Sequence, residues 1–468
     1  MELQIAPIRQ AFGLGWSVLN KGGKDFGYFL EKDLSLSKSE EKMLSHLIEH
    51  YKSNEFAANV SVEKELLGIL KSFCLDGDVL LSKSSAEKII ELASCELAGF
   101  GPLDFLLQDE NLEEISVIGV KRPIQVYHKE KGWLKSNLQF EDEKTAVNCI
   151  NKMSRSLGRR ITSQSPRINA CLPSGERLHA SIPPISSEVE ITIRKFKSNP
   201  LTILDLIRSK TISVEAAAFL WTVLFADNSI LIAGNTGSGK TSTLNALFSF
   251  IPLNDRIIIV EETPEICIPH EHSVKMVSSE ELAISMNEII KDTLRMRPDR
   301  QVMGEVRSEL EVKALFDCLL AGQARGTFAT FHAQSSEEAI RRLESFGIRK
   351  EDACAINLIL VQRRIPIFDS VAGNKNPSEI RRVTEICEVL PEGVSSPVFK
   401  YDFEKGVLES VCKKPKILDK IRGNYKLKKG ESIEGLIQKR SQLLKKLSIE
   451  FESKRINFTD LTRLIQES

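Results

Sequence analysis

The segment LIAGNTGSGKTSTLNAL, from Leu231 to Leu247, decides how the central part of the chain folds. It consists of a short apolar run, a glycine-rich stretch ending in Lys-Thr, and a run of helical character. Gly234 to Thr241 matches the pattern G-x-x-x-x-G-K-[ST] at every fixed position. Because the match follows an apolar strand and opens a helix, the segment predicts a loop that binds the phosphates of a nucleoside triphosphate.

Each residue type in this loop has a physical reason to be there. Glycines let the backbone close around phosphate oxygens, and the following helix adds its positive dipole end. Lys240 is predicted to neutralise charge on the β- and γ-phosphates, and Thr241 to offer its hydroxyl to Mg²⁺. ATP and Mg²⁺ are therefore the predicted cofactors. The predicted nucleotide-binding residues are Gly234, Asn235, Thr236, Gly237, Ser238, Gly239, Lys240 and Thr241.

The region around the loop alternates between two kinds of pattern. Apolar, strand-like runs such as SILIAG, RIIIVEE, RQVMGE and GTFATFH are separated by amphipathic, helix-like runs up to about residue 390. Apolar strands that alternate with amphipathic helices indicate a mainly parallel sheet covered on both faces. The predicted fold class is therefore α/β.

Acidic residues follow two of these strands. Glu261, Glu262 and Glu265 come at the end of one strand, and Glu305 at the end of another. In parallel α/β sheets the carboxyl ends of the strands converge on the ligand crevice. Carboxylates there can hold Mg²⁺ or orient an attacking water. His332 follows a third strand, and the pattern leaves open whether it is a sensor of the nucleotide or an ordinary core or surface residue.

The remainder of the chain predicts additional domains. The tail turns helical, with Ile433, Leu436, Ile437, Leu444 and Leu447 on one face and Thr459 as the N-cap of a last short helix. The predicted divisions are an N-terminal helical segment (1–80), a small mixed α+β N-domain (81–199), the α/β domain with the glycine loop (200–400) and a C-terminal helical tail (401–468).

Composition excludes several classes of protein. Lysine plus arginine and aspartate plus glutamate both number 64. This zero net charge disfavours direct binding of nucleic acid. The nine cysteines are scattered singly, without a CxxC pair, which predicts reduced thiols in a cytosolic protein and no zinc site. His270 and His272 are expected in a solvated loop.

The sequence predicts a cytoplasmic location. Its first residues lack the basic and apolar regions of a signal peptide. The longest apolar stretch, Ala216–Ala226, is far shorter than the ~20 residues that span a bilayer. We therefore expect no membrane-spanning segment.

Taken together and in this order, the motifs resemble those of the secretion and type IV pilus motor ATPases. That family is the type II/type IV secretion-system superfamily, which includes the archaeal pilus and archaellum motors. The likeness covers roughly residues 90–390, and the terminal helices resemble archaeal members most. The matching segments are GFGPLDFLLQDENLEEISVIG (Gly99–Gly119), PRINACLPSGERLHASIPP (Pro166–Pro184) with ITIRKF, the Walker A loop GNTGSGKT, the acidic box VEETPEI, the atypical Walker B segment LRMRPDRQVMGEVRSE, the His box GTFATFHAQSSEEAIRRL and RRVTEICEV (Arg381–Val389).

The resemblance implies a RecA-like P-loop motor domain, a PAS-like N-domain and a hexameric ring. It implies that Glu305 is the general base or positions the attacking water. It also implies that Glu262 assists Mg²⁺, with Glu265 beside it. The family usually has aspartate at the position of Glu262, so its contact here has a longer reach. The family often has histidine at Gln323, in the segment before the His box.

The same resemblance implies that arginines of the N-domain reach the γ-phosphate held by a neighbouring subunit. Arg167 and Arg177 are the candidates, and Arg194 is a weaker one. Such a donated charge accelerates phosphoryl transfer by about 10³–10⁵-fold in other enzymes.

The implied function is that of a cytoplasmic, Mg²⁺-dependent ATPase at the inner face of the cell membrane. It would act on an integral-membrane platform protein to assemble a pilus-like or archaellum-like filament or to drive secretion. The motifs leave open a retraction motor or a conjugation-type ATPase. They also leave open a nucleotide-gated assembly scaffold that hydrolyses little ATP.

Overall fold

The computed structural model describes most of the chain. The described residues are 9–11, 16–19, 27–30, 34, 36–54, 61–77, 80–172, 175–195, 200–279, 283–322, 324–367, 378–427, 431–452 and 456–467. Gln323 lies outside them. The chain divides into two compact units, Met1–Lys197 and Ser198–Ser468. The predicted divisions after residues 80, 199 and 400 stay predictions.

Unit 1 combines helices with two antiparallel sheets. Its helices are α1 (Lys38–Ser53), α2 (Val62–Asp76), α3 (Lys83–Leu97), α4 (Leu103–Gln108) and α5 (Glu143–Ser154). Its strands are β1 (Arg9–Ala11), β2 (Trp16–Leu19), β3 (Leu112–Ile118), β4 (Gln125–His128), β5 (Gly132–Lys135), β6 (Leu138–Phe140), β7 (Arg167–Cys171), β8 (Arg177–Ser181) and β9 (Glu190–Arg194). The strand orders are β1-β2-β6 and β5-β4-β3-β9-β8-β7.

The N-terminal segment, predicted to be helical, also contains strands β1 and β2. The strand β2 pairs with β6, with Trp16 opposite Phe140. Both of these aromatic side chains are almost fully buried. Burying an aromatic pair on a pleated surface favours extended backbone here, whereas α1 and α2 follow the helical spacing of their apolar residues. The PAS-like description of unit 1 stays a prediction.

Unit 2 contains the glycine loop. Its strands are β10 (Ile230–Gly234), β11 (Ile257–Glu261), β12 (Ser273–Val277), β13 (Arg300–Val306), β14 (Gly326–Phe331), β15 (Leu358–Ile367), β16 (Ser378–Val389), β17 (Ser395–Asp402) and β18 (Val407–Ser410). Its helices are α6 (Ile203–Arg208), α7 (Val214–Phe225), α8 (Lys240–Leu247), α9 (Met286–Thr293), α10 (Glu309–Ala321), α11 (Ser336–Ser345), α12 (Lys350–Ala353), α13 (Lys416–Ile421), α14 (Ile433–Glu450) and α15 (Phe458–Glu467).

These strands form one large sheet in the order β12-β11-β13-β14-β10-β15-β16-β17-β18. The strands from β12 to β15 pair in parallel, and β16 to β18 continue the sheet in antiparallel fashion. The predicted α/β class with a mainly parallel sheet is confirmed. The label RecA-like stays a prediction.

Both faces of this sheet are covered. On β10, Ile230 and Ile232 belong to one apolar cluster, whereas Leu231 and Ala233 belong to another. Successive residues of a strand point to opposite faces, so the two clusters lie on opposite sides of the sheet. The apolar stretch in α7 is buried in the first cluster. Within the described ranges, no helix is both long and apolar enough to cross a membrane.

The C-terminal helices pack on the rest of unit 2. The guanidinium of Arg440 in α14 lies 4.5 Å from the ring centroid of Trp221 in α7. The predicted N-cap Thr459 is wrong: α15 begins at Phe458, and the side chain of Asn457 accepts a hydrogen bond from the Asp460 backbone N–H. The asparagine precedes the first helical residue, so its carbonyl can reach that N–H.

The expectation of a solvated loop is wrong for His270. This side chain is 3% exposed, and its Nε2 atom lies 3.2 Å from the Ile251 carbonyl oxygen. Burial lowers the pKa of His270. Its ring is therefore part of the interior of unit 2, where it packs edge-on against Phe248.

A buried cluster of charges fixes the amino-terminal ends of the central strands. Arg300, the first residue of β13, is fully buried and pairs with Asp255 at 2.9 Å and Asp227 at 2.5 Å. Arg325 contacts the second carboxylate oxygen of Asp255 at 2.5 Å. Removing one partner of such a cluster leaves an uncompensated buried charge.

We expect Arg300→Met to lower the free energy of unfolding of unit 2 by about 3–5 kcal/mol, since Asp255 is 4% exposed and would lose its buried partner. Urea unfolding of the full chain measures this change. Arg295→Met is the matched control, because the Arg295 side chain is 86% exposed, and it should shift stability by no more than about 0.5 kcal/mol. Equal effects of the two substitutions would refute a structural role for the cluster.

Candidate active site

The glycine loop joins the end of β10 to the start of α8. Gly239 has φ +94, a left-handed conformation that side chains disfavour. A Cβ atom on Gly234 would lie 2.1 Å from the backbone oxygen of Gln362 in β15. Glycine is thus required at Gly239 by the backbone conformation and at Gly234 by the close approach of β10 and β15.

Side chains from β15 and β16 hold the loop from outside. The Gln362 amide donates to the Ser238 carbonyl at 2.8 Å and accepts from the Thr243 hydroxyl at 2.6 Å. The Arg381 guanidinium donates to the Gly237 carbonyl at 3.0 Å. Because Gln362 is 1% exposed, its two hydrogen bonds tie the loop to the first turn of α8 without competition from water.

The interior of the loop presents polar groups suited to phosphate. The Lys240 ammonium lies 3.2 Å from the Gly234 carbonyl oxygen and 3.4 Å from that of Asn235. Burial lowers the pKa of Lys240, and the charges of nearby carboxylates oppose that effect. The buried Ser238 hydroxyl has no hydrogen-bond partner within the described part of the chain. An ammonium and an unpartnered hydroxyl at a helix N-terminus fit the oxygens of a triphosphate.

The carboxyl ends of β13 and β14 bring a second set of charged groups together. Glu305 contacts two side chains: His332 Nε2 lies 2.5 Å from one carboxylate oxygen, and Arg307 Nη2 lies 2.5 Å from the other. Arg307 also contacts Glu262 at 2.8 Å. One arginine therefore bridges two of the predicted site carboxylates.

These contacts set the charge states of the cluster. Burial raises the pKa of Glu305, but the hydrogen bond and charge of Arg307, with the charge of Lys240, lower it overall. The pKa of His332 is lowered by burial and by the charge of Lys240, against the pull of Glu305. At neutral pH, Glu305 is therefore a carboxylate next to a largely neutral imidazole.

The three glutamates that follow β11 have different environments. Glu261 is 2% exposed, and its Oε1 atom accepts from the backbone N–H groups of Glu265 and Ile266 at 2.8 and 2.9 Å. Burial raises the pKa of Glu261 to about 7. Glu265 instead reaches the loop, with the Thr241 hydroxyl 3.4 Å from its Oε2 atom. Glu261 therefore shapes the turn that presents Glu265.

Oxygen atoms of the kind that Mg²⁺ prefers meet at the start of α8. The Thr241 hydroxyl and the Glu265 carboxylate are neighbours there, whereas Glu262, the other predicted metal residue, pairs with Arg307. Hard oxygen donors of this type fit Mg²⁺, which keeps part of its water shell.

The predicted arginines lie in unit 1, on one face of its larger sheet. Arg177 on β8 pairs directly with Arg194 on β9, and Arg167 on β7 pairs with Ser181 on β8. Residues two apart on a strand share a face, so the three arginines do too. Arg167 and Arg194 are exposed, and Arg177 is half-buried.

Comparison with known proteins now decides the family. The family model described as "Type II/IV secretion system protein" matches residues 96–448. The chain belongs to this family.

Several relatives of this secretion-system protein can be compared over part of their length. Two uncharacterized proteins of Methanocaldococcus jannaschii are 40% identical over 45% of this chain and 31% identical over 67% of it. These matches span 30% and 56% of the relatives' own lengths. The conjugal transfer protein TrbB of Rhizobium radiobacter is 32% identical over 51% of this chain and 73% of its own length.

Solved structures show a weaker likeness to this secretion-system protein. The X-ray structure of the Legionella pneumophila ATPase DotB matches 78% of this chain and 94% of its own, with 16% identity and a TM-score of 0.45.

Arg307 and Gln362 are two of the residues that contact the predicted site but were not identified from the sequence motifs. Arg307 follows Glu305 at a spacing of two along an extended segment, and this spacing could have revealed that the side chains share a face. Gln362 directly follows the apolar run LILV and is itself followed by two arginines, so the sequence does not mark it as buried. Only the pairing of β10 with β15 shows that it lies beside the glycine loop.

We expect Gln362→Leu to destabilise unit 2 by about 1–3 kcal/mol, because it leaves the Ser238 carbonyl and Thr243 hydroxyl without this partner. Denaturant unfolding of the full chain tests this. Gln334→Leu, the same substitution at an exposed position, should have a much smaller effect. A Gln362→Leu chain as stable as the control would show that this amide does not hold the loop.

Proposed function

We propose that the protein is a Mg²⁺-dependent ATPase. One observation carries this proposal: β10, β14 and β13 lie side by side in parallel, so the glycine loop with Lys240 and the end of β13 with Glu305 stand at the same carboxyl edge of the sheet. A phosphate-binding lysine next to an ionised carboxylate is the arrangement that water attack on a γ-phosphate needs. Membership of the secretion-system family supports the same reaction.

The residues of the chain then have separate roles. The loop N–H groups and Lys240 bind the β- and γ-phosphates of the substrate and offset their charge. Thr241, with Glu265 and Glu262, would hold Mg²⁺, which supplies further charge neutralisation when bound. Glu305 orients the attacking water and accepts its proton, since its carboxylate is ionised at neutral pH. His332 is hydrogen-bonded to Glu305 and keeps that carboxylate in position. Because His332 directly follows β14, a shift of the carboxylate would be transmitted to that strand.

We further propose that the chain acts as a homo-hexamer in the cytoplasm. Arg167 and Arg177, and less directly Arg194, share a sheet face from which they can reach a nucleotide held by a neighbouring copy. Closed rings form when the contact between copies is head-to-tail. The cycle of nucleotide binding and hydrolysis then moves N-domains against motor domains. That movement acts on an integral-membrane platform protein. The result is assembly of a pilus-like or archaellum-like filament, or secretion. The ring attaches to the membrane through this partner.

A conjugation-type translocation motor is the second candidate, favoured by the similarity to the conjugal transfer protein TrbB. The equal numbers of acidic and basic residues argue against direct handling of DNA. A retraction motor would use the same residues in the same roles. A scaffold that hydrolyses little ATP is disfavoured by the presence of Lys240, Thr241 and Glu305 together.

We expect Glu305→Gln to lower ATP turnover by about 10²–10⁴-fold, because the amide cannot accept the proton of the attacking water. Binding of ATP should persist, since Lys240 and the loop are unchanged. Phosphate release, measured on the full chain with Mg²⁺, gives turnover, and equilibrium binding of a fluorescent ATP analogue gives affinity.

The control is Glu309→Gln, which removes an exposed carboxylate at the start of α10. Its turnover should stay close to that of the wild type. Lys240→Ala supplies the blank. Hydrolysis by Glu305→Gln at the wild-type rate would contradict the assigned role of this carboxylate.

A further inference from the structure

A cleft of about 800 Å³ opens in unit 1, far along the sequence from the glycine loop. It lies where the C-terminal ends of α1 and α3 meet α5 and the turn that follows α5. Small-molecule sites typically measure about 300–1,000 Å³. The cleft is therefore the size of a site for a molecule such as a nucleotide.

The charge of the cleft differs sharply from that of the chain. Lysine and arginine balance aspartate and glutamate overall. In the cleft, by contrast, one acidic residue, Glu96, faces a set of five cationic ones: Lys52, Lys152, Arg155, Arg159 and Arg160. Like charges cost free energy when they are held together in a concave surface, and an anion relieves that cost.

Both lysines of the cleft are engaged at the end of α3. The Lys152 ammonium donates to the backbone carbonyls of Glu96 and Gly99, at the end of α3. Lys52 lies 4.0 Å from the Glu96 carboxylate. Burial raises the pKa of Glu96, and the charges of Lys152 and Lys52 oppose that effect. Three of the five cationic side chains are the arginines of α5's C-terminal turn and the residues that follow it, so most of the excess positive charge lies there.

Two of these arginines are available for a ligand. Arg155 and Arg160 are exposed, and in the described ranges neither guanidinium forms a hydrogen bond or an ion pair. Arg159 is already engaged, since its guanidinium donates to the Asn169 carbonyl. The guanidinium groups of Arg155 and Arg160 are thus available on either side of Arg159, which is held by its own hydrogen bond.

The turn that carries the arginines is held firmly by its own hydrogen bonds. The Arg159 backbone N–H donates to the Ser154 carbonyl at 3.2 Å, and the Ser154 hydroxyl donates to the Arg159 carbonyl at 3.0 Å. The Ile161 N–H donates to the Asn151 side chain at 2.8 Å. Such pre-organisation lowers the entropy lost when a ligand binds.

Aromatic side chains complete the lining. Tyr51 and Phe100 are both partly exposed in the cleft. An aromatic face can stack on a base, and guanidinium groups bind phosphate through paired N–H donors. We propose that this cleft is a second, non-catalytic site that binds the polyphosphate chain of a small phosphate ligand, with Arg155 and Arg160 as the principal donors.

The test uses the full chain with Lys240→Ala, which weakens phosphate binding at the glycine loop, in buffer that contains EDTA. Sodium tripolyphosphate and ATP are titrated separately in a calorimeter. We expect one binding event per chain. Adding Arg155→Ala and Arg160→Ala should weaken it by about tenfold or more, since a hydrogen bond to a charged group contributes about 1.5–3 kcal/mol.

The matched control removes two positive charges of unit 1 outside the cleft, by Lys131→Ala and Lys71→Ala. Both lysines are exposed. This control should leave the affinity within about twofold, because screening limits the effect of distant charges. The pair Arg155→Lys and Arg160→Lys should weaken binding less than the alanine pair, since the charge remains but the paired N–H donors are lost. Thermal melting checks that all variants fold.

The two ligands distinguish the sources of the phosphate chain. Tighter binding of ATP than of tripolyphosphate would identify a nucleotide that stacks on Tyr51 or Phe100. Equal binding would identify the phosphate chain alone as the ligand. No binding of either ligand at millimolar concentration would overturn the proposal. So would binding that the Arg155→Ala and Arg160→Ala pair does not weaken more than the lysine control.

Discussion

The parallel pairing of β10 between β14 and β15 is the constraint on which the candidate site depends. In that register Ala233 lies beside Phe331 on one side, and Gly234 lies beside Gln362 on the other. The first residue of the glycine loop, Gly234, and His332 each follow directly after one member of the pair Ala233–Phe331. On the other side, Gly234 lies beside Gln362, whose amide holds the loop. A shift of one residue would turn every alternate side chain to the other face and separate these groups.

Charge is distributed unevenly along the same strands. At the amino-terminal end of β13, Arg300 is buried and fully paired with carboxylates, which makes that end rigid. At the carboxyl end of β13, Glu305 is half-buried and shares Arg307 with Glu262. Exposed and partly exposed ion pairs contribute little to stability and can rearrange. The sheet thus combines an end whose buried charges are fully compensated with an end whose charges can exchange partners.

Much of this arrangement could be predicted from the sequence. The glycine pattern, its position between strand and helix, and the acidic residues at strand ends predicted an α/β sheet with a phosphate-binding edge. Local patterns could not predict contacts between distant segments, such as Gln362 with Ser238, or the bridge that Arg307 forms between two glutamates. They also gave Glu261 and Glu262 the same environment, although Glu261 is the last residue of the buried strand β11 and Glu262 lies just beyond it, exposed. The strand β2 escaped prediction because its partner β6 lies more than a hundred residues away.

We propose that each site is completed by a neighbouring copy, and subunit mixing tests this proposal most directly. One chain carries Lys240→Ala, and a second carries Arg167→Ala with Arg177→Ala. The two, with different tags, are co-expressed and purified through both tags. Each variant alone should be inactive. With equal and random mixing, about half of the copies have an intact glycine loop and about half of their neighbours have intact arginines, so about a quarter of the interfaces join the two. The mixture should therefore regain about a quarter of the wild-type ATP turnover. A mixture no more active than its two components would contradict the claim.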